Sequence, residues 1–208
     1  LDASTGEKIW NYTTGDEVRG TAYADDMLFA ASLDHNVYCL NKTGTLLWKY
    51  KTNGGLEGVS IADGRVFVAS YDHSVYCLDE FSGEQMWNYT TGGKIYSEPA
   101  VAYGKVFVGS NDNYTYCLNE FTGQLIWRYG AAYNVRGSPA VADHKVFFGI
   151  SDWWDVNYTN IPAPFPVYFY SVDVATGELV WKYQTGDWIY SSPAVAYGNV
   201  YVASHDGY

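Results

Sequence analysis

The sequence predicts an all-β protein, a β-propeller of four-stranded antiparallel blades with about five blade equivalents in 208 residues. Two observations predict this fold. Short apolar alternations are separated by turn residues, and no segment keeps an apolar period of about 3.6 residues, so we expect almost no helix. One tryptophan also recurs at spacings of 38, 39, 40 and 54 residues, close to the length of one blade. These residues are Trp10, Trp48, Trp87, Trp127 and Trp181.

Each copy of the repeat reads as four strands. In the third copy the inner, second, third and outer strands are predicted at 98–102, 106–110, 115–119 and 124–129. A lone sheet with two apolar faces is not stable in water, so neighbouring copies must stack and share cores. The predicted single domain, 1–208, has blades at 19–50, 57–90, 96–130, 136–184, and 190–208 together with 1–12.

A Ser-Gly or Thr-Gly turn precedes each repeated tryptophan, and glycine supplies positive φ there. These glycines are Gly6, Gly44, Gly83, Gly123 and Gly177. The string at 1–10, LDASTGEKIW, and its echo at 172–181, VDVATGELVW, resemble the tryptophan-docking repeat of the PQQ-like propeller family. That family includes quinone-dependent dehydrogenases, bacterial outer-membrane assembly lipoproteins, and bacterial and archaeal surface proteins without quinone. The resemblance covers the whole chain and implies that each tryptophan stacks on the turn glycine of a neighbouring blade.

The termini leave two closures open. Residues 204–208 match 32–36, which precede a third strand, and joining Tyr208 to Leu1 would omit only the residues that match 37–39. One alternative is a five-bladed ring that shares its last blade between both termini, which avoids unpaired sheet edges. The other is an arc of a ring of about six to eight blades, as the resemblance implies. The first residue is not Met, so we expect a segment of a longer precursor.

Charge and hydropathy exclude some partners. The net charge of −11 argues against nucleic acid, because phosphate binding needs clustered Lys and Arg. No apolar run approaches 18 residues, so we expect no membrane insertion within this segment. The resemblance implies an extracytoplasmic location, which is the cell surface, the periplasm or the medium.

The cysteines and histidines follow the repeat. Cys39, Cys77 and Cys117 share one register on predicted third strands of successive blades, too far apart for a disulfide. Without a Cys-x-x-Cys pair we predict buried, reduced cysteines and no metal site. The histidines in or beside Asp turns lie on different blades, so we predict a turn role for them and no catalysis. They are His35, His73 and His205.

One position per blade varies within the strict repeat, nine residues after each tryptophan. It opens the inner strand and should ring the mouth of the central channel, so we predict a binding surface there. The residues are Arg19, Glu57, Tyr96, Arg136 and Tyr190. The resemblance implies that a quinone enzyme would hold its cofactor on this axis with an Arg, aromatic rings and a calcium ion. These positions match that chemistry only in part, so we predict no cofactor and no catalytic residue.

An insertion at 152–166 in the fourth copy joins its second and third strands on the same face as the mouth. Two roles stay open for its aromatic residues, a rigid platform for a peptide, a sugar or another chain, and a cap folded back on the propeller. The candidate residues are Trp153, Trp154, Tyr158 and Phe165.

Five Asn-x-Ser/Thr triplets are candidate glycosylation sites, with polar strand or turn residues as the alternative. Alternation on the outer strand turns Asn11 and Asn88 toward solvent. The asparagines are Asn11, Asn41, Asn88, Asn113 and Asn157.

These features favour a non-catalytic scaffold that binds another protein or a surface polymer such as a glycan. The alternatives are a fragment of a PQQ-dependent dehydrogenase, whose remaining ligands would lie elsewhere, and a ligand-sensing domain of a receptor.

Overall fold

The computed structural model describes residues 1–151 and 166–207, and it confirms the prediction of an all-β propeller. Blade I contains β1 (Val18–Ala24), β2 (Met27–Ser32), β3 (Asn36–Asn41) and β4 (Leu46–Lys51). Blade II contains β5 (Leu56–Ala62), β6 (Arg65–Ser70), β7 (Ser74–Asp79) and β8 (Gln85–Thr90). Blade III contains β9 (Ala100–Ala102), β10 (Lys105–Gly109), β11 (Tyr114–Asn119) and β12 (Leu125–Gly130). Blade IV contains β13 (Ala140–Ala142), β14 (Lys145–Gly149), β15 (Val167–Asp173) and β16 (Leu179–Thr185). The strands β17 (Ala194–Ala196) and β18 (Asn199–Tyr201) form a two-stranded sheet.

The hydrophobic core lies between the blades. Within each four-stranded blade the strands pair antiparallel in chain order, and the second and third strands are buried on both faces. Phe29, Phe67 and Phe107, which occupy equivalent positions, are each 0% exposed. The three largest clusters of buried side chains join blades I and II, blades II and III, and blades III and IV. Each blade therefore depends on its neighbours to bury its apolar faces.

Each junction is closed by a tryptophan of one blade on a turn of the next. A Cβ built on Gly83 would lie 2.6 Å from Cδ2 of Trp48, and the Trp48 indole N–H donates to the Glu80 carbonyl at 3.0 Å. Gly83 has a φ of 72°, so the turn requires glycine both for its backbone and for the space that the ring fills. The same contact joins Trp10 to Gly44, Trp87 to Gly123 and Trp127 to Gly177.

The docking contact is absent at the two ends of the described chain. Nothing lies within 4 Å of a Cβ built on Gly6, and Trp181 is 38% exposed, whereas Trp127 is 8% exposed. Residues 1–17 form no strand, and Trp10 packs on blade I. Trp181 and Gly6 therefore make no docking contact with each other in the described residues. The assignment of 190–208 and 1–12 to one shared blade stays a prediction.

In blades I to III an aspartate in the turn after the second strand fixes the linker that leads into the blade. In blade II, Oδ2 of Asp72 accepts the backbone N–H of Asn53 at 2.9 Å and the hydroxyl of Tyr76 at 2.8 Å. Asp34 and Asp112 make the same pair of contacts in blades I and III. Because hydrogen bonds to a carboxylate are strong, they hold each linker, and with it the start of the inner strand that follows, in place.

The cysteines are free and buried on β3, β7 and β11, as predicted. Burial raises the pKa of each thiol to about 12. His35 and His73 have φ values of 74° and 76°, which places both in left-handed turns, as the turn interpretation predicts. No helix within 1–151 or 166–207 is long and apolar enough to cross a membrane.

Candidate functional site

The five variable positions lie at or just before the first strand of each blade. We call the side of the molecule where these inner strands begin the mouth face. Arg19 lies in β1 and Glu57 in β5, whereas Tyr96, Arg136 and Tyr190 precede β9, β13 and β17. Arg19 is exposed, and the other four are half-buried. The repeat therefore places each variable side chain at or just before the start of an inner strand, and its position at a channel mouth stays a prediction.

Glu57 and Tyr96 are joined through Tyr71, which stands in the turn between β6 and β7. The Tyr71 hydroxyl donates a hydrogen bond to Oε2 of Glu57. The Tyr71 ring lies against the Tyr96 ring of blade III, with 4.6 Å between the centroids. Burial and the Glu57 carboxylate raise the pKa of Tyr71 above its ordinary value, so its proton stays in place. This group thus spans blades II and III with fixed geometry.

Arg136 continues the group into blade IV. Its guanidinium carbon lies 5.0 Å from the centroid of the Tyr96 ring, a cation–π contact. Its Nε–H donates to Oδ1 of Asn111 at 3.1 Å. The other N–H groups of the guanidinium have no hydrogen-bond partner among residues 1–151 and 166–207. Arg136 is therefore held from one side and offers donors on the other.

Arg19 extends the group to blade I. It forms an exposed ion pair with Glu17 at 3.1 Å, and its positive charge acts on the Tyr71 phenol. Tyr190 forms a separate pair, with its ring centroid 4.7 Å from that of His205. Contacts thus join three of the five predicted positions, Glu57, Tyr96 and Arg136, across blades II to IV, and the charge of Arg19 acts on this group from blade I. With the two residues that link them, this mouth strip consists of Arg19, Glu57, Tyr71, Tyr96, Asn111 and Arg136.

Tyr71 and Asn111 are site residues that the nine-residue spacing misses. Each occupies the middle position of a Ser-x-Asp turn, as in Ser70-Tyr71-Asp72 and Ser110-Asn111-Asp112. The same position holds Leu33 in blade I and His205 after β18. Variation at a fixed register was therefore present here too, in the turn between the second and third strands.

Glu98 adds a half-buried carboxyl group just before the inner strand of blade III. Its side chain covers Gly58, where a built Cβ would lie 2.7 Å from Glu98 Cβ and Cγ. Burial raises the pKa of Glu98, although the backbone N–H of Val59 acts in the opposite direction. The Glu98 backbone N–H donates to the Ser138 hydroxyl at 2.9 Å. This residue therefore packs blades II to IV together beside the mouth strip.

The loop aromatics predicted at Trp153, Trp154, Tyr158 and Phe165 lie outside the described residues, as does Asn157. Among the other candidate glycosylation sites, Asn11 and Asn88 are exposed. Oδ1 of Asn41 instead accepts three hydrogen bonds from Thr43 and Thr45. Asn113 has a φ of 73° in a tight turn, and Thr115, the third residue of its triplet, is fully buried.

Comparison with known protein families gives a match to the sequence of this chain. A family model described as outer membrane protein assembly factor BamB matches residues 1–95 and 72–153, which together span 1–153. No curated protein sequence matches the chain.

Solved structures show the same fold. BamB from Moraxella catarrhalis has a TM-score of 0.75 and 19% identity, over 95% of this chain and 62% of that chain. The computationally designed Ika4 protein has a TM-score of 0.65 and 17% identity, over 71% and 94% of the two chains. The quinohemoprotein alcohol dehydrogenase ADHIIG from Pseudomonas putida HK5 has a TM-score of 0.66 and 16% identity, over 93% and 39%. The chain thus spans less than two thirds of the Moraxella structure, and at these identities the likeness shows the fold alone.

Proposed function

This chain belongs to the family of the outer membrane protein assembly factor BamB, and on that premise we propose that it is a non-catalytic, extracytoplasmic scaffold. Its mouth strip binds another protein. The family description supports an assembly role and a location outside the cytoplasm. The exposed Asn11 and Asn88 are compatible with that location.

The observation that carries the proposal is the continuity of the mouth strip. Hydrogen bonds and ring contacts link Glu57, Tyr71, Tyr96 and Arg136 across three blades. Tyrosine and arginine are the residue types enriched at the energetic centres of protein interfaces. Because these side chains are already held in one arrangement, a partner would lose little of their conformational entropy on binding. A pre-arranged aromatic surface beside a guanidinium that keeps N–H donors without a partner in the described part of the chain suits a protein surface.

A calcium-bound quinone fits the described residues poorly. Oε2 of Glu57, the acidic residue of the strip, already accepts the Tyr71 hydroxyl. Within the described ranges, no three His, Cys, Asp or Glu side chains are grouped to hold a metal ion. The likeness to the quinohemoprotein dehydrogenase is one of fold, so the dehydrogenase reading rests on no side chain described here.

Photo-crosslinking on two faces tests the scaffold proposal. A photoreactive phenylalanine replaces Tyr96 on the mouth face, or the half-exposed Phe121 on the opposite face as the matched control. In extracts of the producing organism we expect a discrete protein adduct from position 96 and none from position 121. The Arg136→Ala change should weaken that adduct and lower the free energy of unfolding by no more than about 1 kcal/mol.

Equal labelling from both positions would refute a mouth-specific partner. Retention on cell-wall polymer without any protein adduct would replace the protein by a surface polymer. A saturable rise in melting temperature on adding PQQ and calcium would instead support the dehydrogenase alternative, because ligand binding stabilises the folded state by mass action.

A further inference from the structure

Two buried glutamates occupy equivalent places between blades. Glu80 is 1% exposed and Glu120 is 2% exposed. Oε1 of each is buried without a hydrogen-bond partner among the described residues. Their backbone carbonyls accept the indole N–H groups of Trp48 and Trp87, at 3.0 Å and 2.9 Å. Both carboxyl groups therefore lie inside a tryptophan-docked junction, Glu80 between blades I and II and Glu120 between blades II and III.

At the junction of blades I and II, Glu80 lies within the electrostatic field of two acidic residues. Asp25 belongs to the β1–β2 turn of blade I, and Asp79 ends β7 in the same blade as Glu80. Burial raises the pKa of Glu80, and the negative charges of Asp25 and Asp79 act in the same direction. The Cys39 thiol of blade I also lies within the field of Glu80. No positive group acts on Glu80 among its described neighbours.

At the junction of blades II and III, Glu120 has the same arrangement with one addition. Burial raises the pKa of Glu120, and Asp63 in the β5–β6 turn of blade II adds to this through its charge and through the hydrogen bond that a protonated Glu120 would donate to it. Arg65 of blade II acts in the opposite direction. The Cys77 thiol lies within the field of Glu120. A proton on Glu120 is thus placed to bridge to Asp63.

The junction of blades III and IV supplies an internal comparison. Val174, 3% exposed, stands in the place of the two glutamates, and its carbonyl accepts the Trp127 indole N–H at 3.0 Å. The facing turn of blade III contains Tyr103 and Gly104 and no carboxylate. Buried acid and facing aspartate therefore occur together in two junctions and are both replaced in the third.

We propose that Glu80 and Glu120 are proton-operated latches: on acidification each takes up one proton and donates a hydrogen bond to the facing aspartate of the preceding blade. Protonation removes a buried charge and adds an O–H···O⁻ hydrogen bond between blades. Junctions I–II and II–III tighten, whereas junction III–IV does not respond.

The direction follows from linkage. The folded-state pKa of both glutamates lies above the unfolded value, mainly because of burial. Their stabilising contribution is therefore fully present below the unfolded pKa and is lost as the pH rises through the raised folded pKa. Neutral medium loosens the two junctions, and mild acid tightens them.

Indole N–H exchange in the full chain tests the latches one by one. Trp48, Trp87 and Trp127 each report on one junction, and their exchange is followed by NMR between about pH 7.5 and about pH 5, corrected for intrinsic exchange. Protection at Trp48 and Trp87 should rise on acidification by at most about tenfold per pH unit, the limit for one proton. Protection at Trp127 should stay level.

Variants decide the assignment. Glu80→Gln should hold Trp48 at high protection at every pH and leave the response of Trp87 intact, whereas the exposed control Glu84→Gln should change neither. If Glu80→Gln fails to fold, Glu80→Val copies the III–IV junction and should likewise abolish the response at Trp48. A parallel rise at Trp127, or a pH response at Trp48 that survives both substitutions, would overturn the proposal.

Discussion

Replacing Gly123 by alanine tests the docking contact that holds the blades together. Gly123 has a φ of +69°, and a Cβ built on it would lie 2.6 Å from Cε3 of Trp87. The Trp87 indole N–H donates to the Glu120 carbonyl at 2.9 Å, three residues before this glycine. The new methyl group therefore has to displace a ring that is only 8% exposed.

Three contributions add up. An alanine in left-handed backbone costs about 1–2 kcal/mol. Overpacking against the displaced ring costs about 1–3 kcal/mol. Loss of the indole hydrogen bond costs about 1 kcal/mol. Gly64 has nearly the same φ, +70°, but nothing lies within 4 Å of its built Cβ, so Gly64→Ala carries the first cost alone. We expect Gly123→Ala to be the more destabilising of the two by about 2–4 kcal/mol.

Urea unfolding followed by circular dichroism measures both variants, with and without Trp87→Ala. Without the ring, the excess cost of Gly123→Ala should fall toward that of Gly64→Ala, because only the backbone cost remains. Equal losses of stability for the two glycine variants, or an excess that survives removal of the ring, would refute the docking argument.

Three further predictions follow from the repeat. The backbone N–H of Ser82 is the main cause that lowers the pKa of Asp79, so its stabilising effect is lost as pH falls through the folded pKa. Asp79→Asn should therefore flatten the loss of stability in acid, and an unchanged acid limb would contradict this. His73→Gly should raise stability by up to about 1 kcal/mol, because glycine adopts a φ of 76° without strain; a clear loss would assign the imidazole a packing role. The three buried thiols should not react with a thiol reagent until urea unfolds the chain, and the reaction of even one thiol in the native chain would contradict their burial.

The strands were predictable because their pattern is local and repeated, but their lengths were not. The sequence predicts an inner strand at 98–102 in blade III, whereas β9 covers Ala100–Ala102. Pro99 has no N–H for the ladder, and the N–H of Glu98 donates to Ser138 of the next blade instead. Blade I lacks a proline here, and its inner strand is seven residues long. Contacts between blades therefore compete with strand pairing, and a local pattern does not contain them.

In the candidate site, too, the sequence predicts the positions but not the contacts between blades. Variation within a strict repeat selected Arg136 and Tyr96, yet their contact depends on how far one blade is rotated from the next. Tyr71 contacts the Tyr96 ring from a turn 25 residues earlier in the chain, and Glu57 accepts the hydrogen bond of the Tyr71 hydroxyl from within the same blade. Sequence period gives the register of each side chain and not its angle to the neighbouring blade. The pairs that make up the mouth strip thus emerge only from the stacked structure.

The junction glutamates affect the free energy with which neighbouring blades pack on each other. An apolar residue fits the same place, because Val174 is buried there and still supports the indole hydrogen bond of Trp127. Burying an ionised carboxyl group without a partner costs free energy, and replacing it with a well-packed apolar side chain is often neutral or stabilising. Blade I therefore packs on blade II less tightly at neutral pH than it would with an apolar residue in this place. Glu80→Val should raise the free energy of unfolding at neutral pH but not in mild acid. A Glu80→Val variant that is destabilised at neutral pH would show that the carboxyl group contributes to packing and does not act as a latch.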